Sequence, residues 1–389
     1  MVDGHSKNHV LHLRAFTLNF AFMQFVSRKV PPEATLNFLG VACLPANELV
    51  CGNMLITTES LEETGYLALT PAENGTDDCC VRQTKSEAFD FNIARQWWEY
   101  CCTYHLKACS RPANTSRLYS LQVIDCASRT VIDAPADCRY AALSYVWGTS
   151  QVVEDREWSD NEDTGRPLHQ LPKTIEHSIQ VTMDLSLKYL WVDLYCIDQS
   201  DHRNKHQQIQ QMDLIYSSAD LTIIAAAGQD ANHGLAGING TSRVQRQNLR
   251  IGKHVVVRTL SHASSSLLNS KWATRGWTYQ EGILSRRRLI FTEEQVFYEC
   301  NAMHCSEIIK LPLDVVHTKN RQRFRNHMPS GSFTLKLPGR NFSEFWSYIL
   351  VFYSKKLSYA SDTLNAMRGI FEAFSKARHP VYNLSLIHI

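Results

Sequence analysis

The sequence predicts an α/β fold: a mainly parallel open sheet with helices on both faces. Three short apolar runs, AALSYVW at 141–147, KYLWVDLYCI at 188–197 and LTIIAAAG at 221–228, have the length and composition of buried strands. Two helix-periodic segments lie between them. LPKTIEHSIQVTMDLS at 171–186 sets Ile175, Ile179 and Met183 on one stripe, with Pro172 at a first helical position. NKHQQIQQMDLIYSSA at 204–219 sets Ile209, Met212, Ile215 and Tyr216 on one face. Strands that alternate with helices need crossover connections, and these build parallel sheets covered on both sides.

Residues 1–90 show no sustained periodicity, and the polar stretch 70–87, with its Pro, Asn-Gly and paired Asp, reads as a loop or linker. FNIARQWWEYCCTYHLKAC at 91–109 reads as a helix with Ile93, Trp97, Tyr100 and Tyr104 on one face, and LYSLQVIDC at 118–126 as a strand. RLIFTEEQVFYEC at 288–300 has two β-rich runs around Thr292-Glu293-Glu294, a hairpin at the sheet edge or in a following subdomain. Residues 345–374 are helix-rich. The expected division is an unclassified N-terminal region at 1–90, a helical flank and strand at 91–139, a core domain at 140–282 and a mixed C-terminal hairpin and helical region at 283–389. The last of these ends at NLSLIHI without a final cap and reads as truncated.

Composition narrows the function classes. The 389 residues carry a net charge of +2 with acids and bases nearly balanced, so no global field favours nucleic acid or an anionic membrane. The longest basic run, Arg286-Arg287-Arg288, follows a predicted helix end, where cations complement the terminal carbonyl dipoles. The 12 cysteines lie in adjacent pairs, such as Cys101-Cys102, or singly in apolar runs, which indicates reduced thiols in a cytoplasmic protein. The apolar run at 15–26 is broken by Asn19 and Gln24 and lacks a cleavage site, so it is a poor signal peptide. No uninterrupted apolar run reaches the ~18 residues of a membrane span.

In a parallel sheet, ligands bind at the carboxyl ends of the strands. Ser144, Tyr145, Trp147 and Gly148 end the first strand; Asp193, Cys196, Asp198 and Gln199 follow the second; Arg275, Trp277 and Glu281 lie on RGWTYQE at 275–281. Set against ligand binding are packing roles for Trp147, Trp191 and Trp277, loop or helix capping by Asp193 and Asp198, and a buried salt bridge of Glu281 with Arg275. Cys101, Cys102, His105 and Cys109 offer zinc-compatible donors at helical spacing, but every ligand would come from one helix and no C-x-x-C is present. They read as packed hydrophobes, with no metal expected. Cys196 lacks a nucleophile turn, the phosphate-binding glycine motifs are absent and no sensor-type repeat array follows.

YAALSYVWG at 140–148, LWVDLYCIDQ at 190–199 and RGWTYQE at 275–281, with LPKTIEHSI at 171–179, QMDLIYSSADLTIIAAAG at 211–228 and HGLAG at 233–237 between them, resemble the heterokaryon incompatibility (HET) domain of filamentous fungi. The resemblance implies a cytoplasmic component of vegetative or nonself incompatibility, an innate-immunity-like response whose activation triggers programmed cell death. It implies other proteins of that pathway as partners, with self-association as a second kind of contact, and neither nucleic acid nor a membrane span. The same order of blocks resembles, more distantly, Toll/interleukin-1 receptor (TIR) domains, which have an aromatic-rich first strand and a Trp-x-x-x-Glu helix; this implies a TIR/flavodoxin-like core. In the branch of that family that cleaves NAD, the motif's glutamate is catalytic, and Trp277 and Glu281 occupy the matching positions. The resemblance therefore implies either an NAD glycohydrolase acting through Glu281, with NAD as substrate and no resident cofactor, or a non-catalytic protein-protein interaction module. Spacing of four places Trp277 and Glu281 on one helical face. Phosphate anchoring would fall to Arg275, Lys271 or helix N-termini.

Overall fold

The three apolar runs form parallel strands, and a fourth joins them. β7 (Tyr189–Trp191), β5 (Tyr140–Ser144), β8 (Leu221–Ala225) and β11 (Arg287–Phe291) are neighbours in that order. In chain order this is second, first, third and fourth, the arrangement of flavodoxin-like sheets, in which the winding reverses between the first and third strands. Every residue of β5, β8 and β11 is buried. Alternate side chains serve opposite faces: Ile223, Ala225, Leu289 and Phe291 join the main core, while Ile224, Ala226 and Ile290 pack with Leu267 and Trp272. The computed structural model describes residues 82, 87–112, 118–148, 165–244, 263–325, 331–333 and 342–375, together with strands at 38–39, 67–71, 249–251 and 254–258. Most of the expected loop at 70–87, the run at 15–26 and the final NLSLIHI lie outside these residues.

The sheet is mixed, which corrects the expectation of a mainly parallel one. β12 (Val296–Cys300) and β13 (His304–Ser306) extend one edge antiparallel; β3 (Gln122–Asp125), β4 (Thr130–Asp133) and β6 (Arg166–Pro167) extend the other, making nine strands. The β11–β12 hairpin is the one expected at 288–300. Its turn is locked by Thr292, whose Oγ1 donates to the Gln295 carbonyl at 2.8 Å. Tight turns suffice to join antiparallel strands, so added edge strands need no crossover helix to announce them. A second, four-stranded antiparallel sheet runs β1 (Phe38–Leu39), β2 (Leu67–Pro71), β10 (His254–Arg258), β9 (Leu249–Ile251), pairing strands from the N-terminal region with a later hairpin.

The expected N-terminal flank is α1 (Phe91–Tyr104), capped by Asp90 and burying Ile93, Trp97 and Cys101. Trp97 lies against Tyr298 of β12, ring centroids 6.1 Å apart. The helix stops at Tyr104, so Cys109 lies on the turn beyond it and not on the helix as expected. α2 (Lys173–Asp184) buries Ile175 and Ile179, but Met183 is 47% exposed, because two steps of four residues rotate a position about 80° off the starting face. Pro172 is the N-cap and not the first helical residue. The run at 188–197 is strand only to Trp191; Asp193–Cys196 form a short helix, α3.

The segment 204–219 is two helices, α4 (His202–Gln210) and α5 (Met212–Ser218), broken at Gln211. Gln208 and Gln211 both donate to the Tyr119 carbonyl, at 3.0 and 2.7 Å, anchoring the break to the loop before β3. α6 (Ala263–Leu268) and a 3-10 turn (Trp272–Thr274) lead into α7 (Gly276–Leu284). After α8 (Leu313–Val316), α9 (Phe342–Tyr353) and α10 (Arg368–Ser375) supply the expected C-terminal helices, packing Tyr348, Phe352, Ile370 and Phe374 against Ile283 and Leu284 of α7. The arginine run is buried. Arg288 donates to the Gly282 and Ile283 carbonyls at the end of α7, and Arg286 to the Ser218 and Ala219 carbonyls at the end of α5, where helix dipoles favour a cation. Among the described residues no helix is long and apolar enough to cross a membrane.

Candidate functional site

β5 delivers its last residue, Ser144, to the carboxyl edge of the sheet beside β8, where the winding reverses. α7 begins at Gly276 and brings Glu281 to the same point. The Ser144 hydroxyl donates to Glu281 Oε2 at 2.5 Å and accepts from the Trp272 indole N–H at 2.8 Å. Ser144 is fully buried and Glu281 is 5% exposed. The Tyr216 hydroxyl, from α5, donates to the Leu143 carbonyl at 2.9 Å and lies close enough to Glu281 to affect its ionisation.

Asp193, at the start of α3, forms the second carboxylate of the site. Both of its oxygens accept from the Trp147 indole N–H, at 3.1 and 3.0 Å, and one also accepts from the Leu194 amide at 2.7 Å. Desolvation raises the Asp193 carboxyl to about 6 against the opposing pull of the Leu194 amide and Arg275. Burial, and then the nearby Asp193 charge, raises Glu281 to about 7, with Ser144, Arg275 and Tyr216 acting the other way. Two acids with raised values near neutrality, at the carboxyl edge of an open α/β sheet, form a centre able to exchange protons or to set a negative charge beside a developing cation.

Arg275 is the N-cap of α7, and its Nη1 donates to the Tyr145 carbonyl at 2.7 Å. No Arg275–Glu281 salt bridge forms; the guanidinium acts on both carboxylates through its field. Tyr145 is buried, and its hydroxyl has no hydrogen-bond partner among the described residues. Gly148 has φ +87°, and a Cβ there would lie 2.4 Å from Asp230 Cβ, so the chain can leave β5 in this direction only as glycine.

The structure thus gathers Ser144, Tyr145, Trp147, Asp193, Arg275 and Glu281. It does not gather Asp198 or Trp277. Asp198 Oδ1 accepts from the Ser200 amide and hydroxyl at 2.8 and 2.6 Å within its own turn, while Asp201 caps α4. Gln199 likewise bonds the backbone of its own loop. Trp277 donates to Asp362 at 3.4 Å, towards the C-terminal helices. The indole that reaches Ser144 is Trp272, which sequence reasoning missed: it sits in the 3-10 turn before α7, outside the four-residue helical spacing that pointed to Trp277.

Trp272 also lines an apolar cavity of about 440 Å³ with Tyr279, Ile283, Phe333 and Tyr348. A polar cavity of about 630 Å³ opens where β8 and β11 end, lined by Gly228, Gln229, Lys271, Thr292 and Glu293. Glu281 lines neither.

Residues 140–281 match the family model for the heterokaryon incompatibility protein (HET). Over 137 residues the chain is 29% identical to heterokaryon incompatibility protein 6, OR allele, of Neurospora crassa, an alignment covering 31% of this chain and 20% of that protein. The chain therefore spans about a fifth of the length of the curated relative it matches. No solved structure matches the chain. The strand that opens the span matching the heterokaryon incompatibility family and the helix that closes it meet in the Ser144–Glu281 hydrogen bond.

Proposed function

We propose that the chain acts in fungal nonself incompatibility as a signalling enzyme that cleaves NAD and so triggers cell death, with Glu281 as the catalytic residue. The observation that carries this reading is the Glu281 carboxyl, closed off at the winding reversal of the sheet, bonded to Ser144 and poised near neutral pH. The bond between ribose C1′ and the nicotinamide nitrogen breaks with its electron pair passing to that nitrogen, which neutralises the pyridinium. The sugar becomes an oxocarbenium ion, which ionised Glu281 stabilises. Water adds to C1′ and releases a proton, giving ADP-ribose and nicotinamide. The leaving group is cationic from the start and needs no acid. Lys271, at the polar cavity, and Arg275 are the cations available for the diphosphate. Because Glu281 lines neither cavity, catalysis requires Trp272 to move from Ser144, joining the aromatic cavity to the carboxylate.

One feature supports a second reading, a non-catalytic interaction module of the same pathway. α9 leaves Trp346, Leu350 and Tyr353 exposed at helical spacing, an apolar stripe suited to another protein or a second copy of the chain. Expression in fungal cells separates the two readings. The enzyme reading expects cellular NAD to fall before the cells die, and a folded Glu281→Gln chain to spare both. Death with undiminished NAD favours the interaction module.

A further inference from the structure

At the opposite, amino edge of the parallel strands, the chain folds four soft donors into one buried point. Cys101 ends the buried face of α1; His105 is its C-cap; Cys109 lies on the following turn; Cys300 ends β12, almost two hundred residues away. None is more than 1% exposed, and the three sulfurs and one imidazole nitrogen all lie within 4.8 Å of one another. We propose that Cys101, His105, Cys109 and Cys300 bind one structural Zn²⁺ in a tetrahedral Cys3His site. Zn–S and Zn–N bonds of about 2.3 and 2.0 Å imply donor separations of about 3.5–3.8 Å, so the cluster needs to contract by an ångström at most. Cys300 Sγ is already 3.3 Å from His105 Nδ1.

The surroundings prepare both the imidazole and the charge. His317 Nδ1 lies 2.5 Å from the Leu313 carbonyl, which can only accept, so Nδ1 carries the proton and Nε2 of neutral His317 offers a lone pair. His105 Nε2 is 3.1 Å from that nitrogen and donates to it. The proton of His105 is thereby fixed on Nε2, leaving Nδ1 bare on the side facing the sulfurs. A ligating histidine held in its tautomer by a hydrogen bond from its far nitrogen is the usual support of a zinc site.

Arg287 supplies the second argument. It is 7% exposed, makes no ion pair with a carboxylate among the described residues, and aims Nε at Cys101 Sγ from 3.1 Å. A buried guanidinium needs a counter-charge. Zn²⁺ with three thiolates and one imidazole carries a net single negative charge and supplies one. All four positions are filled by protein, so the site is closed to substrate and structural. It pins the flank helix to the β12 edge of the sheet. The fourth ligand removes the objection that one helix must supply every donor.

The test is elemental analysis of the full-length protein purified under reducing conditions. One zinc per chain is expected, and exchange with Co²⁺ should give the visible absorption of a tetrahedral thiolate site. Cys300→Ser and Cys109→Ser should lose the metal, while Cys102→Ser, next to the cluster but outside it, should keep full stoichiometry. Should the serine variants fail to fold, His105→Cys preserves four soft ligands and should retain the metal with an altered Co²⁺ spectrum. Chelation should lower the melting temperature, and added Zn²⁺ should restore it. A folded wild-type protein with negligible zinc, indifferent to chelator, overturns the proposal, as does a Cys300→Ser variant that binds zinc as the parent does.

Discussion

Ser144 and Glu281, 137 residues apart, share a 2.5 Å hydrogen bond that joins the first strand of the HET-matching span to its last helix. Removing the hydroxyl by Ser144→Ala leaves the buried Trp272 N–H without an acceptor and Glu281 without its neutral donor. The expected cost is ~1–3 kcal/mol with the fold retained, read as a lowered but still cooperative melting transition. An unchanged transition would show that neither bond is formed in solution.

Glu281 also makes stability depend on pH. Its ordinary value of 4.5 is raised to about 7 in the folded chain. The folded state therefore holds a proton that the unfolded state releases, so this contribution is fully present below pH 4.5 and is lost as pH rises through about 7. The loss is on the order of 3 kcal/mol. Glu281→Gln should melt close to the parent at pH 5 and above it at pH 8. Parallel melting curves across that range contradict the desolvation of this carboxyl.

Trp191 is fully buried in β7, its ring edge-on to Tyr216 with centroids 5.5 Å apart. Trp191→Ala should cost ~3–5 kcal/mol, enough to unfold a marginal domain. A melting temperature within a degree or two of the parent would contradict the placement of this strand.

Arg243 and Glu307 form an ion pair at 2.8 Å, their side chains 2% and 3% exposed, and Glu307 also accepts from the Val296 amide. Glu307→Gln strands a buried guanidinium and should cost ~3–5 kcal/mol. Replacing both residues with apolar side chains of similar volume should cost less than the single change. Additive losses, measured by denaturant unfolding, would show that the two residues do not act as a pair.

The parallel core was legible because its strands are apolar on both faces and its helices carry local periodicity. Strand direction at the edges was not, since the β3–β4 hairpin joins the sheet through the pairing of β3 with β7 and of β4 with β6, a long-range register that no local pattern records. The run at 188–197 misled for a related reason: Asp193 turns the chain into α3 at the point where the strand meets the site. Asp193 stood out as a candidate because carboxylates in apolar surroundings are conspicuous, and Glu281 because the resemblance to TIR domains pointed to it. Trp272 and Cys300 did not, because each reaches its cluster through tertiary packing, one from a 3-10 turn and one from a distant strand.

Catalysis by Glu281 is tested by nicotinamide release from the purified, concentrated protein supplied with NAD, run beside a Glu281→Gln variant whose melting curve shows that it is folded. Losing the carboxylate from an oxocarbenium-like transition state should cost ~3–4 kcal/mol, at least a hundredfold in rate. Steady NAD cleavage by the wild type and at least that loss in the variant are expected. Equal cleavage by the folded variant, or none by the wild type under conditions in which the chain kills cells, rules out NAD cleavage through Glu281.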